Sequence, residues 1–245
     1  GNKLTKMFII KMTVFTMALT TIMACPEKDW NQFKLKFGKN YSIEEERDRF
    51  AIYKKNMQKI HSHNKNHPNV VLAENQFADW SDQEYHSILN HQVKPLGVKS
   101  QLMTSRQLNI IPDEIDWRTK KAVTGVKNQG SCGSCWAFST TGSIEGAYAI
   151  KTGKLISLSE QQLVDCATDN NGCNGGLMDT AFKYVEHNSL EREQDYQYQG
   201  SDNSCSFNSS QAFVKISGYQ DVATNNEIAL KTAVAQQPVS IAIEA

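Results

Sequence analysis

The sequence predicts an α+β fold in which a charged helical region precedes a second region of shorter helices and a strand. Apolar residues recur at helical spacing through residues 27–64. The charge balance then reverses, from 16 Lys and Arg against 10 Asp and Glu in residues 1–110 to 10 against 16 in residues 111–245. The apolar run Val239–Ile243 is typical of a buried strand. The opposite charges are consistent with two halves of the chain that dock on each other. They are equally consistent with two unrelated solvated surfaces.

The N-terminal helical region is predicted from two apolar series that flank Gly38-Lys39-Asn40. The series are Trp30, Phe33 and Phe37, and then Phe50, Tyr53, Met57 and Ile60. A strand-like piece is expected at Val70–Ala73. The stretch from Asn90 to Asn109 lacks periodicity and is interpreted as a linker.

The second region begins at Ile111-Pro112. Its first helix is predicted to open at Cys135 and to stop at Gly153. Three more helices are expected: one after a capping box of Ser159 and Gln162, one at Met178–His187, and one at Ile228–Ala235 after a capping box of Thr224 and Glu227.

Residues 1–25 read as a signal peptide region. The stretch from Met7 to Cys25 is apolar, too short for a membrane span, and ends in small residues. A secretory route favours bridged cysteines. Of the six cysteines, five follow this region, and an odd number leaves one thiol free as a candidate reactive group.

The strongest chemical signal is the segment from Gln129 to Ser139, which centres on Cys135. A helix N-terminus presents backbone N–H groups and a positive dipole, which favour a thiolate nucleophile. Gln129 carries an amide that can donate to a developing oxyanion together with the Cys135 N–H. Removing one such donor typically costs about 3–4 kcal/mol of transition-state stabilisation.

These residues resemble the papain-like, cathepsin L-type cysteine peptidases, whose signature includes Cys-Gly-Ser-Cys-Trp. The segments Ile111–Arg118, Leu158–Cys166 and Cys173–Gly176 also resemble that family. The resemblance implies a two-lobed peptidase, with a helical lobe and an incomplete β-barrel lobe, after an α-helical inhibitory prosegment. It implies boundaries at 1–25 for the signal region, 26–110 for the prosegment and linker, and 111–245 for a peptidase domain incomplete at its C-terminus.

The same resemblance implies the roles of individual residues. Cys135 would be the nucleophile, and the disulfides would be Cys132–Cys173 and Cys166–Cys205. Gly175 and Gly176 would bind the substrate backbone, and Leu177, Met178 and Ala242 would form the walls of a subsite for a bulky apolar residue.

The prosegment residues follow an interleaved helical spacing and a second short motif. They are Glu45, Arg49, Tyr53, Asn56, Ile60 and Asn64, and then Asn75, Phe77 and Asp79. Tyr53 stands where the family usually has Phe, and Ala73 stands where glycine is usual. The long helix points to an endopeptidase of the cathepsin L group.

A papain-like site also needs a histidine, and an asparagine to orient it, about 130–150 residues after the cysteine. That position lies beyond residue 245, and the only histidine after residue 91 is His187. His187 is expected at a helix end, where a cation offsets the dipole. Losing one member of a nucleophile–base unit costs on the order of 10⁶-fold in rate, so we expect negligible activity from this polypeptide.

Two other functions stay open from the sequence. Cys132-x-x-Cys135 matches a thioredoxin-like redox pair, although polar residues precede it where an apolar strand is usual. Alternatively, the prosegment acts as a non-enzymatic peptidase inhibitor. No cofactor or metal is expected, and His61, His63 and His67 are interpreted as solvated.

The expected partners are protein and peptide substrates and the chain's own prosegment as an intramolecular inhibitor. The net charge of zero argues against nucleic-acid binding. We expect a monomer without stable membrane insertion, in a lysosome, a vacuole or the extracellular space. Asn40-Tyr41-Ser42 and Asn208-Ser209-Ser210 are glycosylation sequons, whose occupancy the sequence leaves open.

Overall fold

The computed structural model describes residues 26–89 and 111–243, which fall into two compact units. The first unit ends at Ser81 and the second begins at Asp82. The described helices are α1 (Pro26–Phe37), α2 (Ile43–Asn66), α3 (Asp82–Ile88), α4 (Cys135–Thr152), α5 (Glu160–Cys166), α6 (Met178–His187) and α7 (Glu227–Gln236). None of the helices in these two ranges is long and apolar enough to cross a membrane. The predicted signal region, the linker and Ala245 lie outside the described residues.

The predicted helical region of the first unit is confirmed, with its break at Gly38 and the residues after it. Gly38 has a φ of 63°, a left-handed conformation that glycine adopts at low cost and that ends α1. The Ser42 hydroxyl accepts from the Glu45 N–H and caps α2. The core of the unit is aromatic, with Trp30, Phe33 and Tyr53 buried and their rings in contact.

The predicted strand at Val70–Ala73 is wrong. The segment pairs with no strand among the described residues, and Val70 and Val71 are exposed. Asn64 takes the place of a partner strand. Its side-chain amide donates to the Leu72 carbonyl, and its side-chain oxygen accepts from the Leu72 N–H, both at 2.7 Å.

The second unit is organised around α4, which packs against α5 and α6. The predicted start at Cys135 and stop at Gly153 are confirmed, and Gly153 has a left-handed φ of 73°. The apolar core of the unit contains Trp136, Ile144, Leu158, Leu163, Val185 and Leu190. Half of the 18 residues of α4 are buried.

Of the two predicted capping boxes, one is partly correct and the other is wrong. Ser159 caps α5 through the Gln162 N–H, as predicted. The Gln162 side chain, however, donates to Tyr184 and to the Ser189 carbonyl instead of returning to Ser159. The predicted cap at Thr224 is wrong, because the Asn226 side chain accepts from the Ala229 N–H, and α7 begins at Glu227, one residue before the predicted start.

The predicted buried strand at Val239–Ile243 is also wrong. Its backbone forms no ladder within the described residues, and Ile241 and Ile243 are exposed. The segment is attached to α4 by Ser240, whose hydroxyl bonds to the Ser139 carbonyl at 2.6 Å. The β structure in the described ranges consists of three isolated bridges: Gly133 with Asn174, Leu158 with Arg192, and Leu190 with Val214.

Candidate active site

Cys135 is the first residue of α4, and its thiol is exposed and unbridged. No side chain caps the first turn of this helix. The Ser134 hydroxyl is instead paired with the Tyr198 hydroxyl at 2.6 Å. In the described part of the chain the Cys135 N–H donates no hydrogen bond, so it is available to a negatively charged oxygen beside the thiol.

The loop before Cys135 is fixed to a second loop by a disulfide and a backbone contact. Cys132 is bridged to Cys173, and the Gly133 N–H donates to the Cys173 carbonyl at 2.7 Å. A Cβ atom on Gly133 would lie 2.5 Å from that carbonyl oxygen. Glycine is therefore required where the two loops meet, and the two loops form one surface beside the thiol.

Gln129 is half-buried in the turn that precedes Cys135. Its side-chain amide donates to the Cys132 carbonyl at 2.8 Å. The second N–H of the amide makes no hydrogen bond within the described ranges, so it can donate to another acceptor. The backbone carbonyl of Gln129 accepts from the Tyr198 hydroxyl at 2.8 Å, so this turn is held at both its main chain and its side chain.

Tyr198 is a residue of this site that the sequence did not indicate. Its hydroxyl contacts both Ser134 and Gln129, and its ring packs edge-on against Phe138 at 4.9 Å. Burial raises the pKa of Tyr198, so the phenol stays protonated as a donor at neutral pH. It lies in a polar loop without periodicity, where no local signal marks one tyrosine above another.

The turn at Gly175 and Gly176 is positioned by Asn170. Gly175 has a φ of 106°, and a Cβ on Gly176 would lie 2.7 Å from the Trp136 ring. The Asn170 side-chain oxygen accepts from the Leu177 N–H at 2.8 Å. Neither glycine tolerates a larger residue without a shift of the turn. Asn170 is buried and was not predicted from the sequence.

The three residues predicted for the apolar subsite lie in two segments that contact α4. Leu177 and Met178 are half-buried at the start of α6, and Met178 packs against the core of the second unit. Ala242 is exposed and follows Ile241, whose carbonyl accepts from the Ser139 hydroxyl at 3.3 Å. Both segments therefore contact the helix that begins at Cys135.

A buried ion cluster lies inside the second unit. The Lys127 ammonium group contacts Glu145 at 2.8 Å and Glu160 at 2.6 Å, and both glutamates are 1% exposed. Burial raises the pKa of Glu160 to about 7, although Lys127 and Thr141 partly oppose this shift. No local sequence pattern marks these three charged residues.

The second disulfide joins Cys166 to Cys205. These two cysteines line a surface concavity of about 430 Å³ together with His187, the last residue of α6. Cys135 is not among its lining residues. In the described ranges, no histidine nitrogen makes a hydrogen bond to the Cys135 sulfur. Because Cys132 is bridged to Cys173, the alternative of a Cys132–Cys135 redox pair does not hold in this structure.

The predicted prosegment residues form one polar network in the first unit. Arg49 pairs with Glu45 and donates to the Asp79 carbonyl, and Asn56 donates to the carbonyls of Ala78 and Trp80. Asp79 is fully buried, where Lys39 and Tyr41 contact its carboxylate.

The remaining prosegment residues belong to the same surface of α2 or to the segment it binds. Tyr53 donates to Glu74 at 2.8 Å, Ile60 is half-buried, and the Asn75 side chain accepts from the Phe77 N–H. The predicted prosegment residues of α2 thus lie on one face of the helix, and that face packs against residues 72–80.

Comparisons with known proteins agree with this geometry. Residues 111–245 match the model of the papain family cysteine proteases, and residues 30–85 match the cathepsin propeptide inhibitor domain (I29). The chain belongs to the papain family of cysteine proteases. Among its relatives is digestive cysteine proteinase 1 of Homarus americanus, 43% identical over 98% of this chain and 76% of the relative. Procathepsin L of Rattus norvegicus is 40% identical over 94% of this chain and 72% of the relative.

Solved structures of the family share the fold as well. Digestive procathepsin L 3 from the larval midgut of Tenebrio molitor superposes with a TM-score of 0.77 at 39% identity. That match covers 87% of this chain and 71% of the other. The predicted papain-like α+β class, with a helical prosegment, is therefore confirmed. The chain is a cathepsin L-like cysteine protease zymogen with a propeptide inhibitor domain.

Proposed function

We propose that Cys135 is the nucleophile of a papain-family cysteine endopeptidase made as a zymogen. The observation that carries this proposal is the thiol of Cys135 at the uncapped start of α4, which is the one unbridged cysteine within residues 26–89 and 111–243. The thiolate would attack the scissile carbonyl carbon, and the carbonyl electrons would move to oxygen. The Cys135 N–H and the second N–H of Gln129 would stabilise that oxyanion.

Proton transfer to the leaving amine needs a general base within reach of the thiol. No histidine of the described residues bonds to Cys135, and none follows His187 in the sequence. We therefore propose that the polypeptide of residues 1–245 is inactive by itself, with a rate loss on the order of 10⁶-fold relative to an intact nucleophile–base unit.

The prosegment would act as an intramolecular inhibitor. The last described residues of the prosegment, which form α3, belong to the second unit. Ile88 is buried, and its carbonyl oxygen lies 3.4 Å from the Cβ position of Gly133, two residues before Cys135. A chain segment at this position would exclude a peptide substrate from the same surface.

Protein and peptide substrates with a bulky apolar residue would suit the subsite walls at Leu177, Met178 and Ala242. Residues 1–25 would direct the monomeric zymogen into the secretory route, toward a lysosome, a vacuole or the extracellular space. Both disulfides of the second unit fit an oxidising compartment.

The nucleophile is tested by alkylating the folded chain with iodoacetamide and mapping the modified peptides. We expect modification at Cys135, which the Cys135→Ser variant abolishes. Rapid modification of Cys132 in the unreduced protein would contradict the proposal.

The inactivity of this polypeptide is tested with a Phe-Arg peptide amide. Turnover by residues 1–245 should equal that of the Cys135→Ser variant. Turnover above that level would show that a base is present and would overturn the second part of the proposal.

The second candidate, a prosegment that inhibits peptidases, is favoured by the separate aromatic core of the first unit. Inhibition of an active cathepsin L-type enzyme by residues 26–110 supports the inhibitory role. Failure of this segment to inhibit would contradict it.

A further inference from the structure

We propose that Asn208 carries an N-linked glycan and that Asn208 is used in preference to Asn40. The proposal rests on the secretory route proposed above, because the transferring enzyme works only there. Both residues begin an Asn-x-Ser sequon, so the two sites have the same residue types at the first and third positions. The two sites differ in the structure in the hydrogen bond that the serine hydroxyl makes.

At the first site the serine hydroxyl caps a helix. Asn40 is exposed, but the Ser42 hydroxyl accepts from the Glu45 N–H at 3.2 Å as the cap of α2. The middle residue, Tyr41, is held by its hydroxyl bond to Asp79 and by ring stacking on Trp30. No bond between Ser42 and Asn40 occurs in the described part of the chain.

At the second site the hydroxyl faces the asparagine. The Ser210 hydroxyl donates to the Asn208 side-chain oxygen at 2.8 Å, and the Ser210 N–H donates to the same oxygen at 3.0 Å. A sequon requires a hydroxyl two residues after asparagine, and here that hydroxyl polarises the amide whose nitrogen must react. The arrangement uses residues 208–210 alone, so it can form in the nascent chain before the domain folds.

The reactive nitrogen of Asn208 is free. Asn208 is exposed, and the structure records no hydrogen bond from its Nδ2 among residues 26–89 and 111–243. Its other polar groups are occupied. The backbone N–H donates to the buried Glu191 at 2.7 Å, and the backbone carbonyl accepts from the Gln211 N–H at 2.9 Å. The residue is thus anchored by its main chain, with only the side-chain nitrogen left for attachment.

The reaction joins Nδ2 to the anomeric carbon of an oligosaccharide. The donor is an oligosaccharide linked to a polyprenyl diphosphate, which the secretory route supplies. The bond from the anomeric carbon to the diphosphate oxygen breaks, the diphosphate leaves with the electron pair, and Nδ2 loses one proton to a base of the transferase. The product keeps the side-chain oxygen and both of its bonds to Ser210, so the native turn is retained.

The test is secretion of the full 245-residue chain from insect cells with its own N-terminal segment, followed by intact mass with and without peptide N-glycosidase. Glycosidase treatment in ¹⁸O water marks each occupied asparagine as a labelled aspartate. We expect occupancy at Asn208 to exceed that at Asn40 several-fold. Asn208→Asp keeps the acceptor for Ser210 but cannot be glycosylated, and it should lose the glycosidase-sensitive mass.

Three matched variants complete the experiment. Ser210→Ala should lose the glycan, Ser210→Thr should keep it, and Asn40→Asp should leave it unchanged. Equal or greater occupancy at Asn40 would overturn the structural basis of the proposal. If the chain is secreted without a glycan, the proposal of glycosylation at Asn208 is wrong but the proposed secretory route stands. If the chain never enters the secretory route, both proposals are wrong.

Discussion

Residues 26–81 build their core from contacting aromatic rings, whereas the second unit combines an apolar core with two disulfides and a buried ion cluster. In the first unit, side-chain amides and a guanidinium group bind the backbone of a neighbouring segment. In the second, disulfides join cysteines that lie 41 and 39 residues apart in the sequence.

Because of this difference, a reductant or a change of pH should alter the stability of the second unit more than that of the first. The described part of the first unit contains no disulfide, so a reductant has no bond to break there. The second unit contains a glutamate whose pKa lies near neutrality. Four changes of decreasing expected size test this contrast.

The largest effect is expected from removing the disulfide that closes the loop beside Cys135. The double variant Cys132→Ala with Cys173→Ala should lower the free energy of unfolding of the second unit by about 4 kcal/mol, because the unfolded chain gains loop entropy. Hydrogen exchange followed by mass spectrometry reads each unit separately. Peptides of α1 and α2 should keep their protection; equal loss in both units would refute the contrast.

The next effect concerns pH. The pKa of Glu160 is about 7 in the folded state, above its ordinary value of 4.5, so the folded state binds more protons between these values. The stabilisation is complete below pH 4.5 and is lost as the pH rises through 7, by about 3 kcal/mol. Glu160→Gln should flatten this slope in urea titrations at several pH values. The exposed Glu114→Gln serves as the control, and an unchanged slope in Glu160→Gln would contradict the prediction.

A smaller effect is expected from the amide that binds residues 78–80 in the first unit. Asn56→Ala removes two hydrogen bonds, to the Ala78 and Trp80 carbonyls, and leaves both acceptors unpaired. The first unit should lose about 2 kcal/mol. Gln58→Ala, at an exposed position of the same helix, should change stability little. If the two variants unfold at the same urea concentration, the network does not stabilise the unit.

The smallest effect decides between two caps of α7. Asn226→Ala should cost about 1 kcal/mol, since it removes the acceptor for the Ala229 N–H. Thr224→Ala, at the cap that the sequence pattern predicts, should be nearly neutral. A larger loss in Thr224→Ala than in Asn226→Ala, measured by thermal unfolding, would show that the sequence pattern and not the structure identifies the cap.

Local sequence patterns predicted six of the seven described α-helices, because their signals lie within a few residues, whereas α3 (Asp82–Ile88) was not predicted. The break at Gly38, the start at Cys135 and the stop at Gly153 depend on neighbouring positions and on conformations that glycine allows. The two strand predictions failed for the opposite reason. A strand needs a partner, and Val70–Ala73 and Val239–Ile243 have none among the described residues.

The sequence by itself determined six of the described helices, the resemblance to a papain-family zymogen and the cysteine predicted as the nucleophile, because each is encoded in short motifs. Only the tertiary structure decided that Tyr198 and Asn170 fix the turns beside Cys135 and that Lys127 pairs with Glu160 in the interior of the second unit. Tyr198 lies 69 residues from Gln129, and Lys127 lies 33 from Glu160. Contacts over such separations arise from folding, which buries charges and pairs hydroxyl groups that no local pattern brings together.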